Sequence, residues 1–383
     1  MKIFFLFILS IILHSNVVNG QEGICGNTED DCNWKYNTMT NTLNIYGNGD
    51  MTDFQGSRPW YSFDHWVKKI DIHTGIKHIG KYAFEGFSNL EEISFSSSVT
   101  SIGDSAFDNC NSLLEVNIPK YVDVIKPYTF EDCNSLTEIS WPSINFVIQN
   151  DAFRRCNSLK HISFPSSVIS IDKNAFSECY KIQSYSFSSS NNYYDSVCGT
   201  LINKINKEIL NYPIANDADG ITIPNTIKRI ATDSFIGNPS IKTVVLPENM
   251  ILIQKGSFKN LPKLKTIIIG ANISTIEEHA FSSLPSLTRV IYRGEYEPDE
   301  CENIFENIEV NEIEVPETYF DETFCGMKIN KTDSVFADPE IRVDLCLGDK
   351  EKTINNICIA ISIIFVLLLG SIGLGVIICG MIK

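Results

Sequence analysis

The sequence predicts a repeat solenoid: stacked coils of 23 residues, with strands in a parallel β-sheet joined by short turns or single helical turns, followed by one C-terminal transmembrane helix. Three observations carry this reading. Phe84, Phe107, Phe130, Phe153 and Phe176 recur every 23 residues, and after an interruption Phe235, Phe258 and Phe281 resume the same count. Five residues before each stands an isoleucine, from Ile79 to Ile276, and directly before each stands a small residue, as in Ala83, Thr129 or Ser257. Six residues after comes Leu or Ile, and nine and eleven after are nearly always apolar, as in Ile93 and Phe95. A fixed period in the range of about 20–50 residues marks units too small to bury an apolar face alone, which must therefore stack.

One unit shows the physics. In residues 98–120, Val116 and Ile118 alternate as a strand does, and Pro119 ends the strand because it has no N–H to offer the ladder. Val99 and Ile102 mark a second short extended piece. Ala106–Phe107 is too short for a stable helix, so a single turn is expected there, with the ring plugging the coil interior. Neighbouring coils would lie about 4.8 Å apart. Burial of each ring would contribute roughly 1.5–3 kcal/mol.

The repeat pattern I-x-x-x-A-F-x-x-C-x-S-L-x-x-I-x-x-P, read from Ile102, Ala106, Phe107, Cys110, Ser112 and Leu113 onward, resembles the BspA-like class of leucine-rich repeats over roughly residues 40–294. The resemblance implies a surface protein of the kind found on anaerobic bacteria and parasitic protozoa, and attachment to host matrix or host cells.

Composition narrows the possibilities. The chain is 43% hydrophobic and 20% charged, which suits a globular protein, and its formal net charge of −16 argues against a nucleic-acid partner.

Residues 1–20 read as a secretory signal: Lys2, an apolar core over Ile3–Leu13, and small residues before Gln21. Residues 21–74 read as an N-terminal cap, in which Cys25 and Cys32 are expected to form a disulfide, Leu43–Tyr46 a strand and Gly47–Asp50 a turn. The array occupies 75–294, with a hairpin insertion at 190–224. From Phe176 to Phe235 is 59 residues, one period plus 36; strands are expected at Tyr193–Tyr194, Leu201–Ile202 and Ile209–Tyr212. This is either a degenerate coil with a looped-out hairpin or a specificity protrusion. Residues 295–352 form an acidic C-terminal cap and juxtamembrane segment, with twelve acidic and no basic residues between 295 and 322. Of Cys301, Cys325 and Cys346, two are expected to pair, the third reaching Cys198 or staying free.

Residues 353–380 form the expected transmembrane helix, drawn from the apolar run Ile357–Ile382, with 381–383 as a cytoplasmic tail. This describes a single-pass type I plasma-membrane protein with an extracellular ectodomain. The alternative is a lipid-anchor attachment signal, with small residues such as Gly348 or Asn355 upstream.

No catalytic motif is found, and no enzyme, cofactor or metal site is expected. Cys110, Cys133, Cys156 and Cys179 share one repeat position, which suggests a metal or redox ladder until one notes that Phe87, Leu261 and Leu284 hold that position in other coils. A buried apolar slot, where free cysteine behaves as a small hydrophobe, explains the column better. His65, His73, His78, His161 and His279 lie in no metal-binding spacing. The acidic segment lacks the aspartate-rich loop of a calcium site.

What the array offers is a surface. Outward sheet positions run Glu92, Glu115, Glu138, His161, Ser184, Thr243, Thr266, Arg289, and beside them Ser94 to Ser186 and then Val245, Ile268 and Ile291. With Lys242, Lys265 and Arg289 this makes an expected exposed apolar stripe rimmed by basic residues, the candidate site for an extracellular protein ligand, unless a cap or hairpin covers it. Asn272 and Asn330 begin glycosylation sequons. The competing class is a surface-coat or antigen protein without a specific ligand.

Overall fold

The structure, a computed structural model, describes residues 21–335 apart from 307, 309, 311, 333 and 334. The expected signal and the C-terminal apolar run lie outside the described residues. Among the described residues no helix is long and apolar enough to cross a membrane. The described residues form two compact units, 21–216 with 230–238, and 217–229 with 239–335.

The first unit opens with β1 (Glu22–Ile24), β2 (Asn33–Asn37) and β3 (Thr42–Tyr46), an antiparallel cap in which Trp34 faces Ile45. Cys25 and Cys32 are joined by a disulfide. Gly47 makes the turn that follows: its φ is 148°, and a Cβ there would lie 2.3 Å from the Asp31 carbonyl oxygen. Pairing then becomes parallel, from β3 to β4 (Lys69–Ile72) and on to β5 (Glu92–Phe95). The outward-facing sheet continues as β6 (Glu115–Asn117) beside β7 (Glu138–Ser140), and as β8 (His161–Phe164) beside β9 (Ser184–Phe187). A second parallel ladder joins Val124–Ile125, Phe146–Ile148 and Val168–Ile171, so the isoleucine column is a strand column.

The phenylalanine column makes a third line of bonds. Ring residues of the column donate their N–H to the carbonyl of the small residue one coil ahead: Phe84 to Ala106 at 2.8 Å, and Phe107 to Thr129, Phe130 to Ala152, Phe153 to Ala175 and Phe258 to Ala280 at 2.9 Å. No helix forms here, because left-handed residues stand two before and two after the ring. Ser105 and Asn109 around Phe107 have φ of 52° and 60°, and Asp151 and Arg155 around Phe153 have 54° and 58°. Right-handed helix cannot propagate through such positions. Rings from Phe84 to Phe176 stack at 5.2 to 5.5 Å between centroids.

After β9 comes an antiparallel meander, β10 (Tyr194–Asp195), β11 (Leu201–Asn203) and β12 (Glu208–Asn211). It is tied into the unit: the Tyr194 ring stacks on Phe187 at 5.7 Å, and its hydroxyl accepts the Ile171 N–H at 2.8 Å.

The outward sheet of the second unit is parallel through β13 (Gly220–Thr222), β14 (Thr243–Val245), β15 (Thr266–Ile269), β16 (Arg289–Tyr292), β17 (Ile313–Val315) and β18 (Met327–Lys331). Phe258, Phe281 and Phe305 stack at 5.4 Å and sit on their own parallel ladder. Coil-like pairing thus runs past Gly294 into the acidic segment, where a disulfide joins Cys301 to Cys325. Cys198 is disulfide-bonded as well.

Candidate interaction faces

In the second unit alternate strand residues face away from the core, as the sequence pattern requires, but the expected open apolar stripe is not there. Ile268 and Ile291 are buried and Val245 is half-buried, because Val335 packs across all three. The Arg293 Nε donates to the Val335 carbonyl at 3.2 Å and fixes that crossing. This corrects the expectation of exposure at Val245, Ile268 and Ile291; the physical reason is that an apolar row on a sheet face is itself worth covering. Arg289 is also engaged, its Nε and Nη2 donating to the two Glu314 oxygens at 2.6 and 2.7 Å. The Glu314 carboxylate holds the guanidinium above its ordinary pKa. Lys265 stays exposed, and Lys242 is exposed beside Asp219 at 3.5 Å. What remains on this face beside the covered row is polar: exposed Lys242 and Lys265, with half-buried Thr243 and Thr266. Both sequon asparagines are exposed; Asn272 lies at a coil edge with its Nδ2 donating to the Glu248 carbonyl at 2.9 Å, and Asn330 lies on β18.

The cysteine column is buried throughout, and each thiol donates to a main-chain carbonyl of the coil before it. Cys110, Cys133, Cys156 and Cys179 reach Phe84, Phe107, Phe130 and Phe153 at 3.1 to 3.4 Å. Burial pushes all four thiols up, that of Cys179 to about 12. Such thiols are poor metal ligands and poor nucleophiles. Among the described residues the sole grouping of three ligand-type side chains is Glu297, Cys301 and Cys325, and its two sulfurs are bonded to each other.

In the first unit the outward sheet face is open. Glu91, Glu92, Glu115, Glu138 and His161 are exposed, with Asn117, Ser140 and Ser163 beside them and Leu114 53% exposed. Lys68 pairs with Glu91 and Lys69 with Glu92, both at about one hydrogen-bond length, while His161 Nδ1 lies 2.9 Å from the Ser184 hydroxyl. The turn face carries a second charged line. Asp108 is packed near Glu85, Glu131 and Asp132; burial first, then those carboxylates, raise its pKa to about 7. One coil on, Arg154 and Arg155 bond Glu131, Asp132 and Glu178.

A strand-built repeat stack with an apolar core and polar outer faces defines the class: a repeat solenoid. A family model, the BspA type Leucine rich repeat region, matches in six copies over residues 60–183, 123–216 and 203–325. The chain belongs to this family. No curated protein matches it. Solved structures share its fold. A leucine-rich repeat protein from Eubacterium ventriosum is 18% identical with a TM-score of 0.55, over 82% of this chain and 85% of that one. The pneumococcal vaccine antigen PcpA is 18% identical with a TM-score of 0.55, over 82% and 95%. A leucine-rich cell surface protein from Faecalibacterium prausnitzii is 21% identical with a TM-score of 0.53, over 81% and 96%.

Proposed function

We propose that the protein is a cell-surface recognition scaffold, carried by a single C-terminal membrane span with its ectodomain outside, which binds a protein ligand on host cells or matrix. The observation that carries this reading is the contrast across one strand. In β6, Val116 is buried while Glu115 and Asn117 on either side are exposed, and the same alternation repeats in β8. A sheet with an apolar underside and a polar exposed row presents side chains at coil spacing. In the second unit the same role falls to Lys242, Thr243, Lys265 and Thr266, not to the covered apolar row. Family membership supports a scaffold, and one structural neighbour is a cell surface protein and another a vaccine antigen. Glycans at Asn272 and Asn330 are part of the proposal.

The test is adhesion by cells displaying the full chain to immobilised matrix proteins and to host cells. Saturable attachment, lost on adding the soluble protein, is expected. Attachment that never saturates would favour the coat reading.

A further inference from the structure

Strand pairing in the outward sheet of the first unit lapses between β5 and β6, where the Leu114 N–H still reaches the Glu91 carbonyl at 3.5 Å, and the sheet is split between β7 and β8. β7 bonds β6 and β8 bonds β9, but among the described residues no main-chain hydrogen bond joins residues 137–141 to 158–164. Neighbouring coils show what is missing. Thr137 N–H donates to the Leu114 carbonyl at 2.9 Å and Gln183 N–H to the Lys160 carbonyl at 2.7 Å; the corresponding bond from Lys160 N–H to the Thr137 carbonyl is absent. The opening has a volume of about 500 Å³, lined by Thr137, Glu138, Ile139, Trp141, Lys160 and His161 among others. Ile139 is accordingly half-buried, where Ile93, Val116 and Ile162 of its column are buried.

Trp141 accounts for the split. It stands eleven residues after Phe130, in a column held elsewhere by Phe95, Ile118 and Phe164. Its indole stacks on Phe164 at 5.0 Å and on Phe146 at 5.6 Å, and meets Phe153 edge-on at 5.7 Å. In the preceding coil the Ile118 N–H donates to the Ser140 carbonyl at 2.9 Å; one coil on, the Trp141 indole Nε1, not its main-chain N–H, donates to Ser163 at 2.8 Å. The ring occupies the place of a ladder bond.

We propose that this split is a docking slot for an extended peptide bearing basic side chains, which adds as a strand to the free edge of β7. The proposal rests on the recognition function above and gives it a place and a partner chemistry. The edge offers main-chain groups with no strand partner, the usual basis of strand addition. Charge selects the occupant. Glu115 and Glu138 face each other in register on β6 and β7, and neither has an ion-pair partner among the described residues, unlike Glu91 and Glu92. Two like charges directly opposite each other disfavour the free sheet, and a lysine or arginine laid along β7 relieves them. The opposite wall carries Lys160, which repels that side chain and keeps it on the β7 side.

The test uses purified full-length protein and an acetylated, amidated heptapeptide of alternating lysine and threonine carrying a fluorophore, read by anisotropy. Saturable binding is expected, weakening with salt and falling about tenfold in Glu138→Lys, whose side chain is exposed and whose fold should persist. In Trp141→Ile the main-chain N–H can bond Ser163 as in the neighbouring coil, the slot closes, and binding is lost. Equal binding of an all-serine peptide, tighter binding of a glutamate–threonine peptide, or indifference to Glu138→Lys would overturn the proposal. Cells that still adhere without peptide binding would remove the slot and leave the scaffold reading standing.

Discussion

Tyr212 and Phe235 stack with centroids 4.9 Å apart and planes within 17°, and the two residues are one coil apart in sequence. The Tyr212 N–H also donates to the Ser234 carbonyl at 2.7 Å, the bond that Phe84, Phe107, Phe130, Phe153 and Phe258 make to the small residue one coil ahead. Tyr212 is therefore a column ring, and the segment before it is a coil of 36 residues, one period with thirteen added, rather than 36 residues beyond a period. Its hydroxyl donates to Asn216 Oδ1 at 3.1 Å. Tyr212→Phe keeps the ring and loses that bond, and should cost about 1 kcal/mol. Tyr212→Ala opens the column and should cost about 3–5 kcal/mol. Denaturant unfolding of both variants measures the pair; equal losses would show that the ring does not act as a column member.

The same reasoning shows what could be read before the structure. Strict period and strict residue identity located the interior rings from Phe84 to Phe281. Both criteria failed at the edges: Trp60, which stacks on Phe84 at 5.2 Å, and Phe305, on Phe281 at 5.4 Å, each stand 24 residues from that neighbour, one residue out of step, and Tyr212 is not a phenylalanine. What the column needs is an aromatic face at coil spacing, and one residue of loop slack does not disturb it. The apolar row Val245–Ile268–Ile291 was legible as outward-facing, but not as covered, because alternation reports direction and says nothing of a residue such as Val335 returning from far along the chain. The split at Trp141 was hidden for a related reason: the residue fits its column by hydrophobicity and departs from it only in size and in its indole N–H.

Asp108 gives the first unit a distinctive pH response. Its pKa is raised to about 7 by burial and by Glu131, Glu85 and Asp132, so the folded state holds its proton over a range where the unfolded chain, with the ordinary aspartate value of 3.8, has lost it. The folded state then binds more protons than the unfolded one, and stability falls as pH rises through that window. Asp108→Asn removes the penalty. The variant should melt higher than the parent at pH 8, with the difference vanishing near pH 4. Taking the difference between the two proteins cancels groups of the opposite sense, such as Asp53, whose pKa is lowered. A difference in melting temperature that is constant with pH would refute the assignment.

The cysteine column should be chemically silent. With each thiol buried and bonded to a phenylalanine carbonyl, a thiol-specific reagent should label none of Cys110, Cys133, Cys156 and Cys179 in the native protein and all four after denaturation. Cadmium should leave the melting temperature unchanged. Rapid native labelling, or a rise with cadmium, would restore the metal-ladder reading.

Val335 is the strongest test of how the second unit hides its apolar face. It is fully buried on Ile268 and Ile291, beside half-buried Val245, and its carbonyl receives the Arg293 guanidinium. Val335→Ala removes part of that cover without adding charge and should cost about 1–3 kcal/mol, since a buried valine contributes roughly that much. Val335→Asp adds an unpaired carboxylate to an apolar site and should release the cover altogether, because exposing the stripe costs less than burying the charge. Hydrogen exchange separates release from global unfolding. In the aspartate variant the amide of Leu246, bonded to the Ile268 carbonyl at 2.9 Å, should stay protected while a hydrophobic dye begins to bind. Release without loss of the ladder would mean that the apolar row can be uncovered in a folded protein. Simultaneous loss of both would mean that Val335 belongs to the unit's core, and that any partner of this face meets only Lys242, Thr243, Lys265 and Thr266.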